Sequence, residues 1–159
     1  MSAYRDIANL IDTEGKITDK LESCMEDPAA YYEAHKDEYK ERFIEEMPDE
    51  DTVIWIGLVD MLIEAGIVYE FDWKVDLEDF MDGIHEISDI DLDEDIFDED
   101  DGITDWARIL ADEYPDVVFA GLDISSDSYC TFFIDRESFN SAVEAADSIG
   151  HSIKYVYEM

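Results

Sequence analysis

The side chains most open to a chemical reading are four aspartates at alternate positions, Asp89, Asp91, Asp93 and Asp95. Carboxylates at this spacing could supply oxygens to calcium, as an EF-hand loop does. That loop also needs glycine at its sixth position and a bidentate glutamate at its twelfth. Counted from Asp89, those positions hold Glu94 and Asp100; counted from Asp91, they hold Ile96 and Gly102. Neither register fits, so the run predicts weak screening by cations and no dedicated metal site.

Other chemistries fare no better. The histidines His35, His85 and His151 share no zinc spacing, and His35 falls on an apolar stripe where packing explains it. There is no Gly-x-Ser-x-Gly elbow and no phosphate-binding glycine loop. Asp60 and Glu64, one turn apart on an apolar helix, are the least ordinary carboxylate pair. A polar edge reaching solvent accounts for them. Cys24 and Cys130 have no spaced partners and read as core residues. The expectation is a non-enzyme with no catalytic residues, no metal ligands and no cofactor.

What remains is charge. Forty-five Asp and Glu face ten Lys and Arg, for a formal net charge of −35. Such a surface repels nucleic acid and anionic membranes and attracts basic proteins. The densest part runs from Ser88 to Gly102. Its acids Asp89, Asp91, Asp93, Asp95, Asp98, Asp100 and Asp101 surround Ile90, Leu92, Ile96 and Phe97. A partner-facing patch would use Phe97 as an apolar anchor within the charged rim. The same apolar residues could equally dock a solvated loop onto the core.

The elements that must carry these residues follow from periodicity. Residues 1–159 suffice for a single domain, and 47% hydrophobic composition supplies its core. The N-terminal third reads as helical, with Ile7, Leu10, Ile11, Ile17, Leu21 and Cys24 at helical spacing and a break near Gly15. Asp27-Pro28 caps another helix whose stripe is Tyr32, His35, Tyr39 and Phe43. From Asp51 to Ala65 the chain is apolar almost all round, which marks a buried central helix. Ile67 to Lys74 alternates as a half-buried strand, Asp76 caps a helix through Ile87, and Thr104 opens a short helix ending before Pro115.

Val117–Ile124 and Tyr129–Ile134 form a hairpin, Asp135 caps a helix closed by Gly150, and a last strand alternates around Ile153 and Tyr155. The predicted fold class is α+β: a mostly antiparallel sheet of about four strands with helices packed on one face. The N-terminus lacks the apolar run of a signal peptide, and no stretch approaches the ~20 apolar residues of a bilayer span. A cytoplasmic protein is the expectation.

The runs Trp55 to Gly66, Phe71-Asp72-Trp73-Lys74 and Leu122 to Tyr129 resemble a group of uncharacterised bacterial proteins, small acidic domains of unknown function. In general style these are similar to immunity proteins that neutralise secreted toxins. The resemblance implies structural motifs and carries no catalytic residues. Charge and resemblance together suggest an acidic binding protein, an immunity or inhibitor protein masking a basic protein such as a toxin or nuclease. The alternative is a small enzyme or ligand-binding domain whose acidity serves solubility alone.

Overall fold

Asp27, Asp49, Asp76 and Asp135 each start a helix in the same way: the carboxylate accepts a hydrogen bond from the backbone N–H three residues on. These local caps satisfy donors that a helix start leaves free. The computed structural model describes residues 2–159. Its helices are α1 (Ala3–Ile11), α2 (Thr18–Glu26), α3 (Pro28–Ala34), α4 (Lys36–Glu41), α5 (Glu50–Glu64), α6 (Leu77–Ile87), α7 (Ile103–Glu113) and α8 (Arg136–Ser148). The strands are β1 (Tyr69–Asp72), β2 (Val118–Leu122), β3 (Ser128–Ile134) and β4 (Ile153–Tyr155). They form one sheet in the order β1-β3-β2-β4, and every pairing is antiparallel. The fold is α+β with a helical N-terminal region.

Helix α5 is the centre of the helical layer, as its apolar sequence predicts. Val53, Trp55, Ile56, Leu58, Val59, Met61 and Leu62 are buried. Gly57 lets α3 come close, because a Cβ there would lie 3.0 Å from the Tyr31 ring and 3.2 Å from the Tyr39 hydroxyl. Each buried aliphatic side chain contributes roughly 1.5–3 kcal/mol of transfer free energy, so this helix organises the N-terminal half.

The sheet departs from expectation in one respect. Helices cover both of its faces, where the sequence led to one. Val118, Ala120, Leu122, Cys130, Phe132 and Ile153 join the core built with α1, α2, α5 and α8. Phe71, Phe119, Tyr129 and Phe133 on the opposite face join α6, α7 and the acidic segment around Phe80, Leu92, Phe97 and Trp106. The reason is visible in β2, which is buried at all five positions. A continuous apolar run, as opposed to an alternating one, is the mark of a strand covered on both sides.

Three further expectations change. Strand β1 ends at Asp72, leaving Trp73 53% exposed, and the chain after Tyr155 turns into a short 3-10 helix. The stripe Tyr32, His35, Tyr39, Phe43 does not hold to its end. Tyr32 and Tyr39 are buried and His35 is half-buried, but Phe43 is 94% exposed. The helix ends at Glu41, with Arg42 as its C-cap, two residues before Phe43.

Candidate functional site

The acidic segment is anchored from beneath. Leu92 and Phe97 are buried, and Phe97 meets Phe80 edge to face with ring centroids 6.1 Å apart. Phe97 therefore packs in the core: of the two roles the sequence leaves open to it, docking the loop is the one its burial satisfies. Backbone carbonyls tie the segment down further. The Trp106 indole N–H donates to the carbonyl of Asp98 at 2.8 Å, and the Tyr114 hydroxyl donates to that of Asp91 at 3.2 Å. Asp93 and Asp98 each accept a backbone N–H two residues on, closing tight turns.

Against this fixed backbone, Asp89, Asp91, Asp93, Asp95, Asp98, Asp100 and Asp101 all face solvent. They do not converge. Among the described residues, no group of three or more His, Cys, Asp or Glu side chains is arranged to hold a metal. Crowding still registers at Asp101, whose carboxyl is raised above the usual range by partial desolvation and by repulsion from Asp105, Asp98 and Asp100.

A second site was not foreseen. Arg42 reaches from the end of α4 between α5 and β1. Its Nη2 donates to Asp60 Oδ1 at 2.5 Å and to Glu70 Oε1 at 3.0 Å, while Nη1 donates to Glu70 Oε2 at 3.1 Å. The Ser128 hydroxyl donates to the same Glu70 carboxylate at 2.5 Å. The guanidinium side chain is only 17% exposed. Burial opposes its charge, and the hydrogen bonds from both carboxylates more than offset this, so Arg42 is held more firmly protonated than usual.

The two carboxylates respond differently. Burial dominates at Asp60 and raises its carboxyl, against the Arg42 hydrogen bond. At Glu70 burial also works to raise it, but the hydrogen bonds from Arg42 and Ser128 prevail and hold it below the usual range.

This ion cluster forms the floor of an open cleft of about 400 Å³, also bordered by Tyr31, His35, Glu38 and Glu64. The rings of Tyr31 and His35 stack at 4.0 Å along one wall. Chemically the cleft offers carboxylates, one masked cation and an aromatic face. It lacks a nucleophile paired with a free base. Asp60 had been picked out in the sequence, but its partners lie 18 residues away and, beyond Arg42, on a strand. The available signal was that Arg42 is one of only ten basic residues.

A third cluster joins chain ends. The His151 Nε2 lies 2.7 Å from Asp51 Oδ2, and the Tyr4 hydroxyl donates to the other oxygen of that carboxylate. Trp55 packs beneath His151 and donates its indole N–H to the Asp123 carbonyl at 2.9 Å. Two of the runs that carry the resemblance, around Trp55 and Asp123, thus meet here as structural partners. His85 is exposed, and both cysteines are buried and free.

Residues 3–157 match the family described as a domain of unknown function, DUF6630. No curated protein and no solved structure matches the chain. Among the described residues, no helix is long and apolar enough to cross a membrane.

Proposed function

On the premise that this chain belongs to the DUF6630 family of unknown function, we propose that it is an acidic, non-enzymatic binding protein that masks a basic protein surface, as an inhibitor or immunity protein does. The observation that carries this reading is the docking of the acidic segment: Leu92 and Phe97 are buried while seven aspartates point outward. Holding like charges on a fixed backbone costs free energy through repulsion. A basic partner offsets that cost, and a pre-set array of rim charges accelerates its encounter. With 35 net negative charges on the whole chain, the same surface disfavours nucleic acid and anionic membranes. A basic toxin or nuclease, whose groove is built for phosphates, is the class of partner that fits.

The test is a tagged bait in lysate of cells encoding the protein, washed with rising salt. Stoichiometric recovery of one basic protein, released as salt screens the contact, supports the reading. A bait that retains no basic protein even in dilute buffer rejects it.

A second reading rests on the cleft over Arg42, whose size lies at the lower end of small-ligand sites. In that case the acidity serves solubility, and native mass spectrometry of the purified protein should detect a small bound molecule that Arg42→Ala loses.

A further inference from the structure

Helix α4 ends in a Schellman motif. The backbone N–H of Phe43 donates to the carbonyl of Lys40 at 2.9 Å, and that of Ile44 donates to the carbonyl of Tyr39 at 2.9 Å. Tyr39 and Ile44, the positions whose apolar side chains commonly meet in this cap, both belong to the same apolar core. The residue between them takes the left-handed conformation, φ +64°, a place that glycine ordinarily fills. Here it is phenylalanine. A bulky side chain is disfavoured there.

The fold gains nothing visible in return. Phe43 is 94% exposed, the most exposed of the large apolar residues, and it joins neither hydrophobic core. The turn that presents it is nevertheless rigidly held. Arg42, immediately before it, is locked between Asp60 and Glu70, and Ile44, immediately after it, packs on the core. The exposed acids Glu41, Glu45 and Glu46 flank it along the chain. Strained backbone that its surroundings over-determine concentrates at functional positions, and a pre-ordered aromatic is the residue type that anchors interfaces.

We infer that Phe43 is the apolar anchor of the partner interface, inserting into an apolar pocket ringed by Lys and Arg on a basic protein. This rests on the binding reading above and names the residue that carries its affinity. Net charge selects the occupant: beyond the nearby Lys36 and Lys40, a second copy of this chain would bring two proteins of charge −35 together, whereas a basic protein is attracted. Phe43 has the exposure such an anchor needs, which the buried Phe97 lacks.

The experiment places the photocrosslinking residue p-benzoylphenylalanine at position 43 in one full-length chain and at position 95 in another. Both are irradiated in the protein's own cells. An adduct between position 43 and a basic protein, with binding of that protein weakened about tenfold or more by Phe43→Gly, is the expected result. An adduct at position 95 alone overturns the inference and leaves the charge-based reading standing. No adduct at either position overturns both. Melting supplies the structural control: Phe43→Gly should hold or raise the transition temperature, because glycine relieves the left-handed position. A lowered transition would mean that Phe43 serves the fold, and the inference would be wrong.

Discussion

The imidazole of His151 lies flat on the indole of Trp55, with ring centroids 4.4 Å apart and planes within 1°. The stack fastens the turn between α8 and β4 onto helix α5, and the His151–Asp51 contact adds a second tie from the first turn of that helix. His151→Ala should therefore destabilise the protein by about 1–2 kcal/mol, combining an aromatic pair with one hydrogen bond. Urea unfolding followed by circular dichroism is the check. An unchanged midpoint would make the stack a contact without energetic weight.

Arg42→Ala should cost about 2–4 kcal/mol, because it leaves the Asp60 and Glu70 carboxylates partly buried and unpaired. Adding Asp60→Asn and Glu70→Gln to that variant should recover most of the loss. If the triple variant is no more stable than Arg42→Ala, the ion cluster is not what holds α4 to α5 and β1.

The pH dependence of this cluster has opposite signs at its two carboxylates. Glu70 sits below its ordinary value in the folded state, so its contribution is present above the usual carboxylate range and is lost as pH falls through its folded value. Asp60 sits above its ordinary value, so its ionisation works against folding, and that penalty disappears as pH falls through its raised value. The stability difference between wild type and Glu70→Gln should grow as pH rises through the carboxylate range. The difference between wild type and Asp60→Asn should shrink over the upper part of that range. Parallel profiles for the two variants would contradict the assignment.

In the acidic segment the core and the rim should separate cleanly. Phe97→Ala should lower stability by about 2–4 kcal/mol through loss of a buried ring. Replacing Asp91, Asp93, Asp95, Asp98 and Asp100 together by Asn should leave stability equal or higher, since the exposed charges repel one another. Raising sodium chloride from dilute buffer to roughly 0.5 M should stabilise wild type by screening, and should stabilise the five-Asn variant less. A melting temperature indifferent to salt would show that these charges are already compensated.

Burial pushes the Cys24 thiol up to about 11, and burial followed by the nearby Glu70 charge pushes Cys130 higher still. Since the thiolate is the reactive form, neither should be alkylated in the native protein at about pH 8, and both should be alkylated in denaturant. Intact mass before and after a maleimide pulse reads this directly. Rapid labelling of the native chain would place at least one thiol in a segment that opens locally.

Much of the architecture was legible in the sequence because its causes are local. The caps at Asp27, Asp76 and Asp135 act over three residues, and each starts the helix expected of it. The apolar run through Trp55 and Leu62 could only be a buried helix, and the 118–134 region could only be a hairpin. The acidic run was equally plain, since charge is additive and needs no fold to be counted. Which residues the fold brings together was another matter. Arg42 meets Glu70 across 28 residues, and His151 meets Asp51 across 100. No period of 2 or 3.6 encodes such distances. Phe43 fell at the right spacing for the stripe of Tyr32 and Tyr39, but periodicity assumes that the helix continues, and this one ends in a left-handed turn that sends the ring into water. Phe97, set among aspartates, is left open by the sequence between a surface anchor and a core residue, because its neighbours along the chain are polar. Its neighbour in space is Phe80, in the same core as Trp106, and burying an aromatic ring in that layer outweighs the company it keeps along the chain.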